Sequence, residues 1–261
     1  MEASLLEVRR EGTTVHVVLD RPAVRNAFNA ELIEALRAAF ETLGADASVR
    51  AIVLAGAGKT FCGGADVNWM RESLELTREE NVEDARRLSR MLRTIDRVAV
   101  PVIARVQGAA LGGGAGLAAV CDVVVAADDA VFGFTETKLG ILPAVISPFV
   151  VAKIGLSHAR ALCLTGERFT AARAHAIGLV HELAPAAELD AAVTRVLREI
   201  DSAGPGGIAA IKRLLAHVAE RDYDETLDLT ANAIAEQRTS AEGQEGLRAF
   251  LEKRRPEWAA Q

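Results

Sequence analysis

An apolar run at residues 100–106 leads into QGAALGGGAG at 107–116, and this junction constrains the chain more than any other stretch. The apolar run reads as a buried strand ending near Gly108, and the small apolar residues at 117–120 read as a tightly packed helix. Between them, Gly112, Gly113 and Gly114 let other backbone approach to van der Waals distance. They also uncover N–H groups at a helix start, where negative charge is favoured, whether on a phosphate or developing on a reacting oxygen. Close helix packing, or a turn, is the competing account of such a junction.

The totals narrow the class. With 261 residues, 50% of them hydrophobic, the chain suits one α/β domain or one domain with an appendage. Thirty basic residues against 36 acidic ones, a net charge of −6, argue against nucleic acid as the main partner. Cys62, Cys121 and Cys163 lie far apart, which suggests neither a disulfide framework nor a zinc site. The opening MEASLLEVRREG carries acids and lacks an apolar run, so no secretory signal is expected. The longest apolar region, 100–127, is broken by Arg105, Gln107, the glycines and Asp122, which makes it core and not a membrane span. The expectation is a protein of the reducing cytoplasm with no membrane or metal partner.

Along the chain, alternation at 5–9 and 14–19 around Glu11-Gly12 predicts a β-hairpin. Asn29 caps a helix predicted over 31–43, another amphipathic helix covers 78–96, and short strands are expected at 51–54, 123–126 and 131–134. From Ile146 onward helices dominate: 146–154, 158–164, 170–177, 188–202, 208–220, 223–239 and 243–254, with one strand at 179–182. A weak break at 202–207 divides a layered part, residues 1–202, from a helical part, 203–261, which is expected to pack on the body or on another subunit.

Two constellations carry chemistry. TFCGGADVNWM at 60–70 is a second glycine-containing strand-to-helix junction, with Gly63, Gly64 and Ala65 exposing N–H groups and Asp66 placed to start a helix. Donors from two such junctions, aimed at one oxygen, make an oxyanion hole. Glu136 lies among Val131, Phe132, Phe134, Leu139 and Ile141 and is either an acid/base group of raised pKa or a carboxylate paired with Lys138. Asp20 and Asp122 read as strand-end residues, and the five histidines lack metal or triad spacing. Arg21 and Arg25, and separately Lys253, Arg254 and Arg255, are basic spots that suit either a phosphorylated ligand or plain solvation. GAGKT at 56–60 fails as a P-loop because Val53 stands where the first glycine belongs, and no G-x-S-x-G or Rossmann fingerprint occurs.

Taken together, LDRP at 19–22 through NAFN at 26–29, FCGGAD at 61–66, residues 101–114, Cys121-Asp122, 132–143, GLV at 178–180 and GLRAFLEKRRP at 246–256 resemble the enoyl-CoA hydratase/isomerase (crotonase) family. The resemblance implies an α/β fold, a spiral of ββα turns with a helical C-terminal trimerisation region, and a homotrimer or dimer of trimers. It implies an acyl-CoA substrate, coenzyme A being part of that substrate with no separate cofactor, and a thioester enolate held by the N–H groups of Ala65 and Gly113. It further implies CoA contacts at Val24, Arg25, Ala27, Gly63, Gly64, Asp66, Val67 and Gly112, with Lys253 of a neighbouring tail near a phosphate. Well-known hydratases of the family carry two glutamates; here Gly116 stands at the first position and Glu136, twenty residues on, at the second. Segments NWM at 68–70, ARVQGAA at 104–110 and PAVISP at 143–148 look like a bacterial subgroup labelled methylglutaconyl-CoA or carboxygeranoyl-CoA hydratase, which favours hydration over Δ3–Δ2 isomerisation, with Glu136 as acid/base in either. A CoA-binding homologue without catalysis is the alternative from outside enzymes.

Overall fold

A computed structural model describes residues 5–259; residues 1–4, with the first part of the opening segment read above, and 260–261 lie outside it. β1 (Leu6–Glu11) and β2 (Thr14–Leu19) form the expected antiparallel hairpin, Leu6 opposite Leu19. β1 is largely exposed and charged, as suits a sheet edge, while β2 buries Val15, Val17 and Leu19 on one face. α1 (Ala30–Ala45) follows, its start capped by Asn29, whose side chain accepts from the N–H of Leu32 at 2.9 Å. It buries Leu32, Ile33, Leu36 and Phe40.

β3 (Ala51–Gly56) is buried along its whole length. α2 (Val67–Glu72) and α3 (Arg78–Arg97) come next, α3 opening on a capping box between Thr77 and Glu80. β4 (Val102–Val106) ends at the glycine junction, which holds a short strand that the sequence pattern had concealed, β5 (Ala109–Leu111), and then α4 (Gly113–Val120). β6 (Val123–Ala127), β7 (Val131–Gly133), α5 (Ser147–Thr165), β8 (Arg168–Thr170), α6 (Ala171–Ala176), β9 (Glu182–Ala184) and α7 (Leu189–Ser202) complete the body. α5 spans the two helices expected at 146–154 and 158–164, and Gly155, at φ +72°, is the non-helical residue between them.

The large sheet runs β1-β2-β3-β4-β6-β9, parallel from β2 onward, and the small sheet runs β5-β7-β8. β9 starts later than the expected 179–182, because the N–H groups of Leu179 and Val180 donate to the carbonyl of Ala174, at 2.9 and 3.2 Å, in the turn after α6. The core is one apolar cluster between the sheets, α1, α3, α4 and α5.

The helical part comprises α8 (Pro205–Val218), α9 (Tyr223–Thr239) and α10 (Ala241–Leu251), starting after Gly204. Its main polar tie to the body is Lys212, whose Nζ donates to Asp122 Oδ2 at 2.6 Å and to the carbonyl of Val100 at 3.2 Å. Asp122 also accepts from the N–H of Val102 at 2.7 Å, so its role is structural, as expected. Among the described residues no helix is long and apolar enough to cross a membrane.

Candidate active site

The two glycine junctions meet. The carbonyl of Cys62 accepts from the N–H of Leu111 at 3.1 Å, and the N–H of Cys62 donates to Ala109 at 3.1 Å. A Cβ on Gly114 would lie 2.3 Å from that Cys62 carbonyl oxygen, and one on Gly64 would lie 2.8 Å from the carbonyl oxygen of Leu111. Gly64 also sits at φ +99°, which a side chain would oppose. The close approach therefore needs glycine from both sides, and it sets Ala65 beside the start of α4.

Ala65 bridges to Phe28 as a parallel pair through its neighbours: Phe28 donates to Gly64 at 2.7 Å and Asp66 donates to Phe28 at 2.8 Å. The N–H of Ala65 itself makes no hydrogen bond among the described residues. The same holds for Gly113, the first residue of α4, whose N–H is one of those a helix start leaves over. Ala65 is exposed and Gly113 partly so. Two donors are thus unspent where the two junctions meet, one of them at the positive end of a helix.

Glu136 opens a short 3-10 turn, Glu136–Leu139, after β7. Phe134, packed at 5.9 Å on Phe169, and the N–H of Gly112 donating to Gly133 at 2.8 Å bind this stretch to α4. The carboxylate rests on Gly112, where a Cβ would come within 3.3 Å of Oε1; Gly112 has φ +51° as well, so only glycine suits the place. Oε2 is buried without a hydrogen-bond partner, and no ion pair with Lys138 forms among the described residues. Of the two readings of Glu136, the paired surface carboxylate is therefore not what the fold adopts. Burial raises its pKa above the usual carboxylate range, opposed only by its own backbone N–H.

The other expected contacts divide. Val24, Arg25 and Val67 are exposed, Val67 at 68%. Gly63 donates to the carbonyl of Arg25 at 2.8 Å, so the two loops run side by side. Ala27 is buried, its N–H donating to the carbonyl of Val24 at 3.2 Å and its carbonyl accepting from Arg21 at 2.5 Å. Asp66, expected on the CoA side, is 5% exposed: one oxygen accepts from Arg21 at 2.9 Å and the other caps α2 through the N–H of Asn68 at 2.8 Å. That commitment also takes Arg21 out of the expected basic spot. Lys253 is exposed on the turn after α10 and is not brought to this site by its own chain. The segment following it is tied to Arg50 and Ser202, at the opposite end of the sheet.

Sequence reasoning missed Asn26 and Ile146. Asn26, fully buried at φ +56°, joins the loops at 21 and 57–60, and Ile146 packs on Gly116. An asparagine beside a turn was a visible signal for the first; nothing local marks the second. Among the described residues no cluster of His, Cys, Asp and Glu suits a metal.

Paired glycine junctions, two free N–H groups and one desolvated carboxyl lie together in this part of the fold. A sequence model described as Enoyl-CoA hydratase/isomerase matches residues 9–261, and the chain belongs to that family. A putative enoyl-CoA hydratase of Thermus thermophilus is 36% identical over 246 residues, 94% of this chain and 97% of that protein. A putative enoyl-CoA hydratase/isomerase (crotonase) of Legionella pneumophila superposes with a TM-score of 0.92 at 40% identity, covering 98% of this chain and all of that one (100%). An enoyl-CoA hydratase of Shewanella pealeana gives a TM-score of 0.94 at 38% identity, with 98% and 97% covered. The α/β crotonase fold with a helical C-terminal part is thereby established.

Proposed function

We propose that the protein is a hydratase-type lyase that adds water to a 2-enoyl-CoA, with Glu136 as its acid/base group. One observation supports this above others: a partly buried carboxyl without a cationic partner lies against Gly112, next to two N–H groups that carry no hydrogen bond. In this reading the thioester oxygen accepts from Ala65 and Gly113. Ionised Glu136 takes a proton from water as the water oxygen bonds to C3, the π electrons move onto the thioester oxygen, and the resulting enolate takes that proton back at C2. Each oxyanion donor of this kind is worth about 10²–10³ in rate. Desolvation of Glu136 raises its pKa, which makes its carboxylate a stronger base toward the attacking water.

The lost carboxyl at Gly116 favours a second reading, Δ3–Δ2 isomerisation, in which Glu136 removes a C2 proton and returns it to C4. Crotonyl-CoA and 3-methylglutaconyl-CoA, assayed by absorbance beside a Glu136→Gln control, decide between them. Loss of the conjugated thioester signal, abolished in the control, with one deuterium entering C2 in D2O, supports hydration. Inert conjugated substrates, together with formation of a conjugated product from a 3-enoyl-CoA, replace it with isomerisation. Binding of CoA esters without either reaction would leave a non-catalytic homologue.

The same reading takes the helical part as a trimer contact, as a homotrimer or dimer of trimers. It is supported by apolar side chains left in solvent there, Phe250 at 81% exposure among them, and it would bring Lys253 to a neighbour's CoA phosphate. Sedimentation of the purified chain tests it.

A further inference from the structure

The wall beside Glu136 is unusual in how it is held. Gly112 precedes α4 as its N-cap, with a non-helical backbone at φ +51°, and Gly116 lies one turn on, inside the helix. Over the first rests the Glu136 carboxylate; over the second rests Ile146, 3% exposed, at the residue that precedes α5. A Cβ at 116 would lie 2.1 Å from Ile146 Cγ2 and 2.6 Å from its Cβ. Because the main-chain-anchored Cβ is itself in contact, no change of rotamer makes room, and the start of α5 would have to move.

Glu136 and Ile146 are also the two ends of one segment. Between them Leu139, Ile141 and Leu142 are exposed, so the span is gripped on α4 at its ends. The Thr137 hydroxyl adds a hydrogen bond to the carbonyl of Cys163 at 2.9 Å. The Glu136 carboxylate has no side-chain hydrogen bond among the described residues, and Oε2 is buried without any partner, so its place is set by packing and by the backbone that carries it.

Resting on the reading of Glu136 as the acid/base, we propose that Ile146 is a positioning residue for it, seated in the notch that Gly116 leaves in α4. The glycine is then a requirement of this site and not merely a lost acid: a side chain at 116 displaces Ile146, and with it the segment that carries the carboxyl. Gly116→Glu alone cannot restore a two-carboxylate site, because the space is filled.

The test is a double-mutant cycle on the full-length protein, with steady-state kinetics on whichever enoyl-CoA ester the wild type converts. Ile146→Gly should lower kcat by about 10- to 100-fold, the scale of a misplacement near 1 Å, while KM changes less than about threefold. Ile146→Val keeps Cβ and Cγ2 and should stay within about twofold. Gly116→Ala should lower kcat alone, yet adding Ile146→Gly to it should raise kcat, a reversal of sign. Val150→Ala, one turn further along α5 and equally buried, should cost stability without that kcat loss. Ile146→Ala serves with the same readouts if the glycine variant does not fold.

A second readout needs no turnover: the titration of the Glu136 carboxyl by NMR in protein labelled at glutamate Cδ, assigned by its loss in Glu136→Gln. The titratable group facing it is the Cys163 thiol, itself pushed up by burial and then by Glu136. In Ile146→Gly or Ile146→Ala the carboxyl should titrate closer to an ordinary glutamate. Additive kcat effects in the cycle, a Val150→Ala loss equal to that at 146, or an unmoved titration each overturn the proposal. A wild type inert on every enoyl-CoA overturns the hydratase and isomerase readings instead, and the titration then decides the position of Ile146 by itself.

Discussion

Asn26 offers a sharp stability test. Its Nδ2 donates to the carbonyls of Ala57 at 2.9 Å and Thr60 at 2.7 Å, and its Oδ1 accepts from the N–H of Arg21 at 2.9 Å. The residue is fully buried and its backbone is left-handed, at φ +56°. Alanine there removes three hydrogen bonds and strands two carbonyls and an N–H, costing about 3 kcal/mol at about 1 kcal/mol each. An alanine in the left-handed region adds about 1 kcal/mol, for a total of about 4 kcal/mol. For a chain of this size that corresponds to a Tm lowered by about 8–16 °C. Glycine loses the same bonds without the backbone penalty, so Asn26→Gly should be about 1 kcal/mol less damaging than Asn26→Ala. Urea unfolding followed by circular dichroism, at one protein concentration so that association does not shift the midpoint, measures both. An Asn26→Ala variant within about 1 kcal/mol of wild type, or a glycine variant worse than alanine, would refute the reasoning.

Glu136→Gln should be more stable than wild type at neutral pH. Burial raises the folded-state pKa, so the stability that the protonated carboxyl contributes is present at acid pH and lost as pH rises through that raised value, while glutamine loses nothing. Each tenfold difference in proton affinity is worth about 1.4 kcal/mol, and Tm measured against pH should show the advantage shrinking toward zero below the ordinary carboxylate range; a constant offset would contradict this. Lys212→Met leaves Asp122 without its cation and should cost about 1–3 kcal/mol, with protease nicking the helical part first. Cys62 and Cys121 are buried and their thiols are pushed up to about 12, so a disulfide reagent at pH 8 should label Cys163 alone until the chain is unfolded.

What was legible in the sequence follows from what is local. Asn29 as a cap, alternation in β2 and helical spacing in α1, α3 and α9 are set by neighbours along the chain, and the fold keeps them. The glycine junctions announced themselves by composition. β5 and β8, three residues each, did not, because strands so short are defined by their partners in the small sheet. Gly116 was visible as an absence, but that Ile146 fills it depends on α4 and α5 lying together. Asp66 was legible as a helix start and the resemblance alone made it a CoA contact; its ion pair with Arg21, 45 residues away in sequence, was not legible.

The helical part is joined to the body in a way that sets its order apart from the rest. Among the described side chains α8 has none fully buried, α9 has only Thr226 and α10 only Ala249, and Lys212 on Asp122 is a polar hinge point, not a core. Its amide hydrogens should therefore exchange with solvent as a group well before those of β3 or β4, opening without unfolding the sheet. If a second copy covers its exposed apolar side chains, that exchange slows as protein concentration rises. Residues 203–261 then behave as a reporter of assembly, readable one peptide at a time by mass spectrometry.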